Sequence, residues 1–289
     1  MSDDVYVAGD VPNINRLVEI IRDPSQTWDT FNNYVMQLRD TRNPIDISLL
    51  YEILEGRLAT GRDRAVYSIG HLGTSSQFAG LIPFLEDEDP GVQANCVWAI
   101  RELGGIDAAE ILVELLWSPH DYIQADAVDN LLLLGQEFDK IRQLLPRMRD
   151  RLISFVLDTT AYHRREFRAM RVLGCIARSA ESSLASDTYS FLDHLIREGS
   201  PFLADLTLYA FEELGPPGTR VLIREMQQNP CAGLRRNLMF HLAYRWNDSS
   251  VIPFREEIAR IISDARSDSD RRIGWGATGA LRLIEQNHA

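Results

Sequence analysis

The sequence predicts an all-α protein, an α-solenoid built from about seven helical hairpins. Three observations carry this. One helix is written three times at a step of thirty-one residues: "RAVYSIGHLG" from Arg64, "NCVWAIRELG" from Asn95 and "DAVDNLLLLG" from Asp126. A glycine closes each copy, at Gly73, Gly104 and Gly135, where a helix favours a left-handed residue after its last turn. No stretch shows the period-two alternation of a half-buried strand.

The second copy shows the pattern most clearly. Val92, Cys96, Ala99, Ile100 and Leu103 fall on one face at a period of 3.6. The first copy fills the same slots with Ala65, Ser68, Ile69 and Leu72, and the third with Ile123, Ala127, Asn130, Leu131 and Leu134. Small residues stand where helices approach closely, and large aliphatics fill the seam. Another amphipathic stretch precedes each helix, "FAGLIPFLEDED" before the second copy and "AAEILVELLWSPH" before the third. Asp89-Pro90, Ser118-Pro119 and Ser200-Pro201 each join a capping side chain to a proline, both of which suit a helix start. The unit is a hairpin of about thirty residues that buries its apolar face only by stacking on neighbours.

Weaker copies extend the array. Upstream stands "NRLVEIIRDPS" followed by "FNNYVMQLRD"; downstream stand "FRAMRVLGCIA", "LADLTLYAFEELG", "NLMFHLAYRWN" and "GWGATGALRLIE". The expected organisation is a flexible tail over residues 1–12 and a single solenoid domain over 13–289.

Composition narrows the function classes. The chain has 289 residues, 45% hydrophobic and 25% charged, with a formal net charge of −12. An acidic chain is a poor match for nucleic acid, whose phosphates need clustered Lys and Arg; it suits a basic protein partner. Lys140 is the only lysine, so arginine supplies almost all the positive charge. Cys96, Cys175 and Cys231 form no CxxC spacing and no disulfide framework. The first residues, "MSDDVYVAGDVP", show no signal-peptide pattern, and no apolar run has the length of a membrane span. The expected location is the cytoplasm, with no membrane partner.

The repeat resembles the HEAT-like repeat of the phycobilisome-lyase type. "DPGVQANCVWAIRELG", from Asp89 to Gly104, follows that family's aspartate–proline start and small–large–glycine core. Gln93 stands where the family usually has Arg, and Arg101 where it often has Gly. "RAVYSIGHLG" and "AMRVLGCIA" keep the core more closely. The resemblance implies an α-solenoid. It does not fix a function, because lyase subunits, enzymes and pure binding scaffolds share the repeat.

In such solenoids the exposed side of each second helix lines the concave surface. Two outward slots per repeat then hold the candidate partner-binding residues Tyr67, Trp98, Arg101, Asp129, Arg171, Tyr209, His241 and Tyr244. Tyr, Trp and Arg are the usual anchors of interfaces. Trp98 and Arg101, three apart on one face, are spaced to stack. Truncating Tyr67 and Trp98 together is expected to abolish binding with little loss of stability.

Catalytic patterns are lacking. The six histidines form no His-x-x-x-His pair and no His-Glu dyad of the kind that holds iron in the deoxyhypusine-type hydroxylases. The sequence has no phosphate loop and no serine nucleophile elbow. Cys96 occupies a core slot, and Cys231 precedes a helix near Arg235 and Arg236. "EDEDP", residues 86–90, reads as a solvated turn, and "YHRREFRAMR", residues 162–171, is the one local basic cluster. No catalytic residue, metal or cofactor is assigned. The expected function is a non-catalytic protein-binding scaffold, in one form an inhibitor or immunity-type protein masking a basic partner. The alternative, implied by the resemblance, is a bilin lyase or chaperone subunit. It would hold an open-chain tetrapyrrole and work beside a second HEAT-like subunit.

Overall fold

Aspartate and proline start helices where the sequence puts them. In the computed structural model of the chain, Asp89 caps a helix beginning at Pro90, its side chain accepting from Gly91 N–H at 2.8 Å. Ser200 does the same for Pro201, accepting from Leu203 N–H at 3.3 Å. The structure describes residues 12–41, 45–56, 61–158, 164–179 and 183–288. The tail expected over residues 1–12 lies, apart from Pro12, outside them. Among the described residues the regular secondary structure is all helical, with α-helices, short 3-10 turns and no strand.

The contacts divide the chain into two compact units, residues 1–130 and 131–289. The first holds α1 (Ile14–Arg22), α2 (Trp28–Asp40), α3 (Ser48–Glu55), α4 (Arg62–Leu72), α5 (Phe78–Leu81), α6 (Pro90–Gly104) and α7 (Ala109–Leu115). Helix α8 (Asp121–Leu133) runs across the division. The second unit holds α9 (Leu145–Leu157), α10 (Arg164–Arg178), α11 (Ser183–Glu198), α12 (Pro201–Glu213), α13 (Pro216–Gln228), α14 (Ala232–Tyr244), α15 (Arg255–Asp264) and α16 (Arg271–His288). Among the described residues the helices follow one another as eight first-and-second pairs, where the repeat steps give about seven.

Within each unit, second helices stack on second helices, as a solenoid requires. Helix α2 packs on α4 and α4 on α6; α10 packs on α12, α12 on α14 and α14 on α16. Leu17, Phe31, Leu50, Ile69, Val92 and Ile100 belong to one continuous core in the first unit. Every slot of the second and third copies named above is buried, including polar Asn130. Asn130 donates to Asp126 O at 2.8 Å and accepts from Arg101 Nε at 3.1 Å, so burial leaves its amide satisfied.

The glycines differ from the expectation. The left-handed positions are Gly61, Gly105 and Gly215, not the glycines that close the three copies. Gly73 is extended (φ −78°, ψ −179°). Gly104 is still helical, and the reversal comes one residue later, at Gly105 (φ 51°). Gly135 is small for another reason: a Cβ there would stand 2.7 Å from Cys175 Sγ.

The acidic turn also differs. Asp87 is not solvated. It receives both guanidinium nitrogens of Arg62, Nη1 at 3.0 Å, and the two side chains are 13% and 8% exposed. Arg62 Nε donates to Leu54 O at 2.8 Å. One guanidinium therefore ties the end of α3, the start of α4 and the turn before α6.

Candidate functional site

The outward slots of α4 and α6 carry rings, and the structure joins them into a row with Trp28, the first residue of α2. Tyr67 stacks on Trp98 with centroids 5.1 Å apart and planes 18° from parallel. On its other side Tyr67 meets Trp28 edge-on at 5.2 Å. His71, one turn further along α4, lies 4.5 Å from Tyr67 and 4.7 Å from Trp98. The spacing follows from the stacking of second helices, which brings equivalent slots of adjacent repeats side by side. Gly70 leaves room for the ring: a Cβ there would stand 2.4 Å from Trp98 Cζ3.

The row is half-buried. Tyr67 and Trp98 pack against the core of the first unit, and Tyr67 Oη donates to Asn32 Oδ1 at 2.7 Å. Burial raises the Tyr67 hydroxyl pKa although Arg39 pulls it down. Burial, then the neighbouring Arg39, lowers the pKa of His71 and favours a neutral imidazole within the row. Trp28, at 43% exposure, is the ring most open to a partner. The carboxylates of Asp29, Asp40 and Glu102 are exposed, and Glu102 lies near enough to act on His71.

Trp98 and Arg101 do not form the expected stack. The ring partner of Trp98 is Tyr67, while Arg101 turns to Asn130 and to the carboxylate of Glu102. Because the Tyr67 and Trp98 rings stack on each other and pack against the core, their removal is expected to cost stability, contrary to the expectation from the sequence. Trp98→Ala is predicted to lower stability by about 2–3 kcal/mol, from the lost half-buried ring area and the lost stacked pair. Urea unfolding followed by circular dichroism checks it; a loss below about 0.5 kcal/mol would mean that the ring stands free.

The remaining expected residues lie on the second helices α8, α10, α12 and α14. Asp129 is half-buried on α8. Arg171 donates Nε to Glu213 Oε1 at 2.6 Å and Nη2 to the same oxygen. Tyr209 meets Phe167 edge-on at 4.5 Å and His241 at 5.9 Å. Burial, then Asp205 and Glu212, pushes its hydroxyl pKa up. His241 Nε2 lies 2.8 Å from Glu212 Oε1, off the alignment of a hydrogen bond, and Arg245 Nη1 lies 3.6 Å from the same oxygen. Tyr244 is 79% exposed. The slots thus bring Tyr67 and Trp98 together, and Tyr209 with His241, but give Arg171 an internal partner.

Sequence reasoning missed the exposed rings of Trp28, Trp117, Tyr122, Phe240 and Trp275, of which Trp275 on α16 and Phe240 on α14 stand together. The available signal was "GWGATG": a tryptophan between glycines that cannot cover it on its own helix.

Burial pushes the Cys96 thiol pKa well up, and burial together with Glu213 pushes Cys175 to about 12, so neither is a ready nucleophile. Cys231 stands at the N-terminus of α14, as expected, with no side-chain cap. Tyr162 and His163 of the basic cluster lie outside the described residues. Among the described residues no group of three or more His, Cys, Asp or Glu is placed to hold a metal ion, and no helix is long and apolar enough to cross a membrane.

Residues 47–132 match the family model of HEAT repeats. That stretch contains the aromatic pair Tyr67–Trp98 and the Arg62–Asp87 ion pair. No curated protein matches the chain. Among solved structures it is similar to the complex of CpcE and CpcF of phycocyanin lyase from Nostoc sp. PCC7120, at 18% identity and a TM-score of 0.47, covering 85% of this chain and 96% of that one. It is also similar to an engineered protein at 14% identity and a TM-score of 0.45, over 93% of this chain and 77% of that one. Human deoxyhypusine hydroxylase in complex with glycerol is similar at 17% identity and a TM-score of 0.35, over 94% and 96%. The family match over residues 47–132 and the stacked hairpins agree on architecture: that stretch is built of HEAT repeats, and the described residues form helical hairpins of the α-solenoid class.

Proposed function

We propose that the chain is a non-catalytic protein-binding scaffold whose second-helix face in residues 1–130 docks a basic surface of another protein. The observation that carries this is where the charge lies. Of the 42 acidic residues 22 fall in residues 1–130, against 8 of the 30 basic ones; residues 131–289 hold the other 20 and 22. Residues 1–130, which hold the aromatic row, therefore carry −14 (8 basic minus 22 acidic), and residues 131–289 carry +2 (22 minus 20), which together make the net charge of −12. A field of one sign steers an oppositely charged partner, and exposed aromatic surface then holds it. Tyr67 and Trp98 give the face its rigidity, Trp28 its open ring, and Asp29, Asp40 and Glu102 its charge. Arg101 and Asp129 stand beside them in neighbouring slots. An inhibitor or immunity-type protein that masks a basic partner is the form this charge suits. Three free thiols suit a reducing compartment such as the cytoplasm.

The test is capture from native lysate with the wild-type chain and with Asp40→Lys/Glu102→Lys. Asp40 ends α2, and Glu102 lies in the last turn of α6, so lysine suits both positions and the fold stands. One stoichiometric basic protein, released by salt and reduced at least tenfold with the variant, is expected. Equal capture by both chains, or an acidic partner at this face, would overturn the reading. A coloured eluate containing phycobiliprotein subunits would carry the alternative instead, with a bilin as ligand and a second HEAT-like subunit as companion.

A further inference from the structure

Helices α14 and α16 leave three large rings uncovered. Trp275 is 74% exposed, Tyr244 79% and Phe240 40%. Phe240 and Tyr244 are four apart on α14, and Trp275 stands on α16, which packs against it. Two glycines of α16 set the closeness. A Cβ on Gly276 would stand 2.5 Å from Arg236 Cγ, and one on Gly279 would stand 2.9 Å from Phe240 Cζ. Beside them opens a cleft of about 450 Å³ lined by Arg236, Asn237, Phe240, Arg272, Trp275 and Gly276.

The charge of this cleft is the reverse of the first unit's. None of its lining residues is acidic. Arg236 is exposed, and among the described residues no carboxylate lies within ion-pair distance of it; its Nη2 donates to Asn237 Oδ1 at 3.2 Å. Arg272 donates Nε and Nη2 to the two carboxylate oxygens of Asp270, at 3.1 and 2.7 Å, so that edge of its fork is taken, and the side chain is 69% exposed. Arg271 and Arg282, on the same helix, are exposed and have no carboxylate at ion-pair distance among the described residues. Guanidinium groups therefore flank an aromatic floor. A guanidinium presents a planar fork that matches a carboxylate, and it binds best where adjoining apolar surface excludes water.

We propose that this cleft docks an acidic segment of a partner protein. Its carboxylates pair with Arg236 and with the edge of Arg272 that Asp270 leaves open, and an apolar side chain between them lies on Trp275 and Phe240. The site is separate from the face proposed above and opposite in charge preference, so either stands without the other.

The probe is a blocked octapeptide of alternating Glu and Leu, titrated calorimetrically into the full chain. Two counterparts accompany it, one with Lys for Glu and one with Ser for Leu. The Glu-Leu peptide is expected to bind at least tenfold tighter than either counterpart and to weaken as salt is added. Arg236→Glu/Arg272→Glu and, separately, Trp275→Ala should each weaken it at least tenfold with helicity unchanged, since the residues are exposed. Arg149→Glu, on α9, should bind as the wild type does. Equal or tighter binding of the Lys-Leu peptide would overturn the proposal. So would no measurable binding of the Glu-Leu peptide, or binding that the Arg236/Arg272 variant leaves intact. Self-association of the wild type, abolished by the same substitutions, would place a second copy's acidic surface in the cleft and would also overturn the partner assignment.

Discussion

Replacing Arg62 with alanine is expected to lower the stability of the chain by about 3–4 kcal/mol, the largest loss from any single ion pair described here. The guanidinium is 13% exposed and Asp87 8%, so neither charge is well solvated. With Arg62 gone, Asp87 Oδ1 keeps the Asp89 N–H at 3.0 Å, and its negative charge is otherwise uncompensated. The Leu54 carbonyl loses its donor as well. Arg62→Lys restores the charge but not the fork, and is expected to recover less than half of the loss. Replacing both partners with apolar residues should cost less than removing Arg62 alone, because no buried charge is left behind. Urea unfolding of the three variants checks this. If Arg62→Ala costs under 1 kcal/mol, the pair is solvated and does not tie the hairpins.

The second large effect is at a helix crossing. A Cβ added to Gly174 would stand 2.2 Å from Ala210 O and 2.9 Å from Ala210 C and Cα. Those are backbone atoms of α12, and no rotamer change moves them. Gly174→Ala gains about 1 kcal/mol of helix propensity, yet it forces α10 and α12 apart. The net loss is expected at about 2–3 kcal/mol. The same substitution at Gly233 is the control. There the new carbon would meet only Cys231 Sγ, at 3.7 Å, so it should be neutral or stabilising by up to about 1 kcal/mol. Thermal unfolding of the two variants separates packing from propensity. Two equal melting temperatures would mean that α10 and α12 have room to part.

The hairpins are legible in the sequence because each helix buries the same face in the same way. Val92, Cys96, Ala99 and Ile100 need only their own spacing to be placed. Depth on the outer face is not legible. Tyr67 and Tyr244 both occupy outward slots, but Tyr67 is enclosed between Trp28 and Trp98 while Tyr244 is open. The neighbouring helix decides this. Opposite Tyr67, α6 offers a ring large enough to stack; on α14, Arg236 and Phe240 meet only the bare backbone of Gly276 and Gly279 on α16. Trp275 falls four residues before the outward slot at Gly279, so the slot alignment passes over it. Asp87 is hidden for another reason. Its partner is twenty-five residues away, and an acidic run with four carboxylates in a row looks solvated until the chain folds back on Arg62.

The unequal division of charge has a consequence for the chain's behaviour in bulk. The sequence isoelectric point is about 5.0. There the molecule reaches zero by cancellation rather than by having few charges: one half remains anionic while the arginine-rich half remains cationic. Neutrality of that kind promotes attraction between unlike halves of different molecules, and added electrolyte relieves it. Near its isoelectric point this protein dissolves better in saline than in pure water.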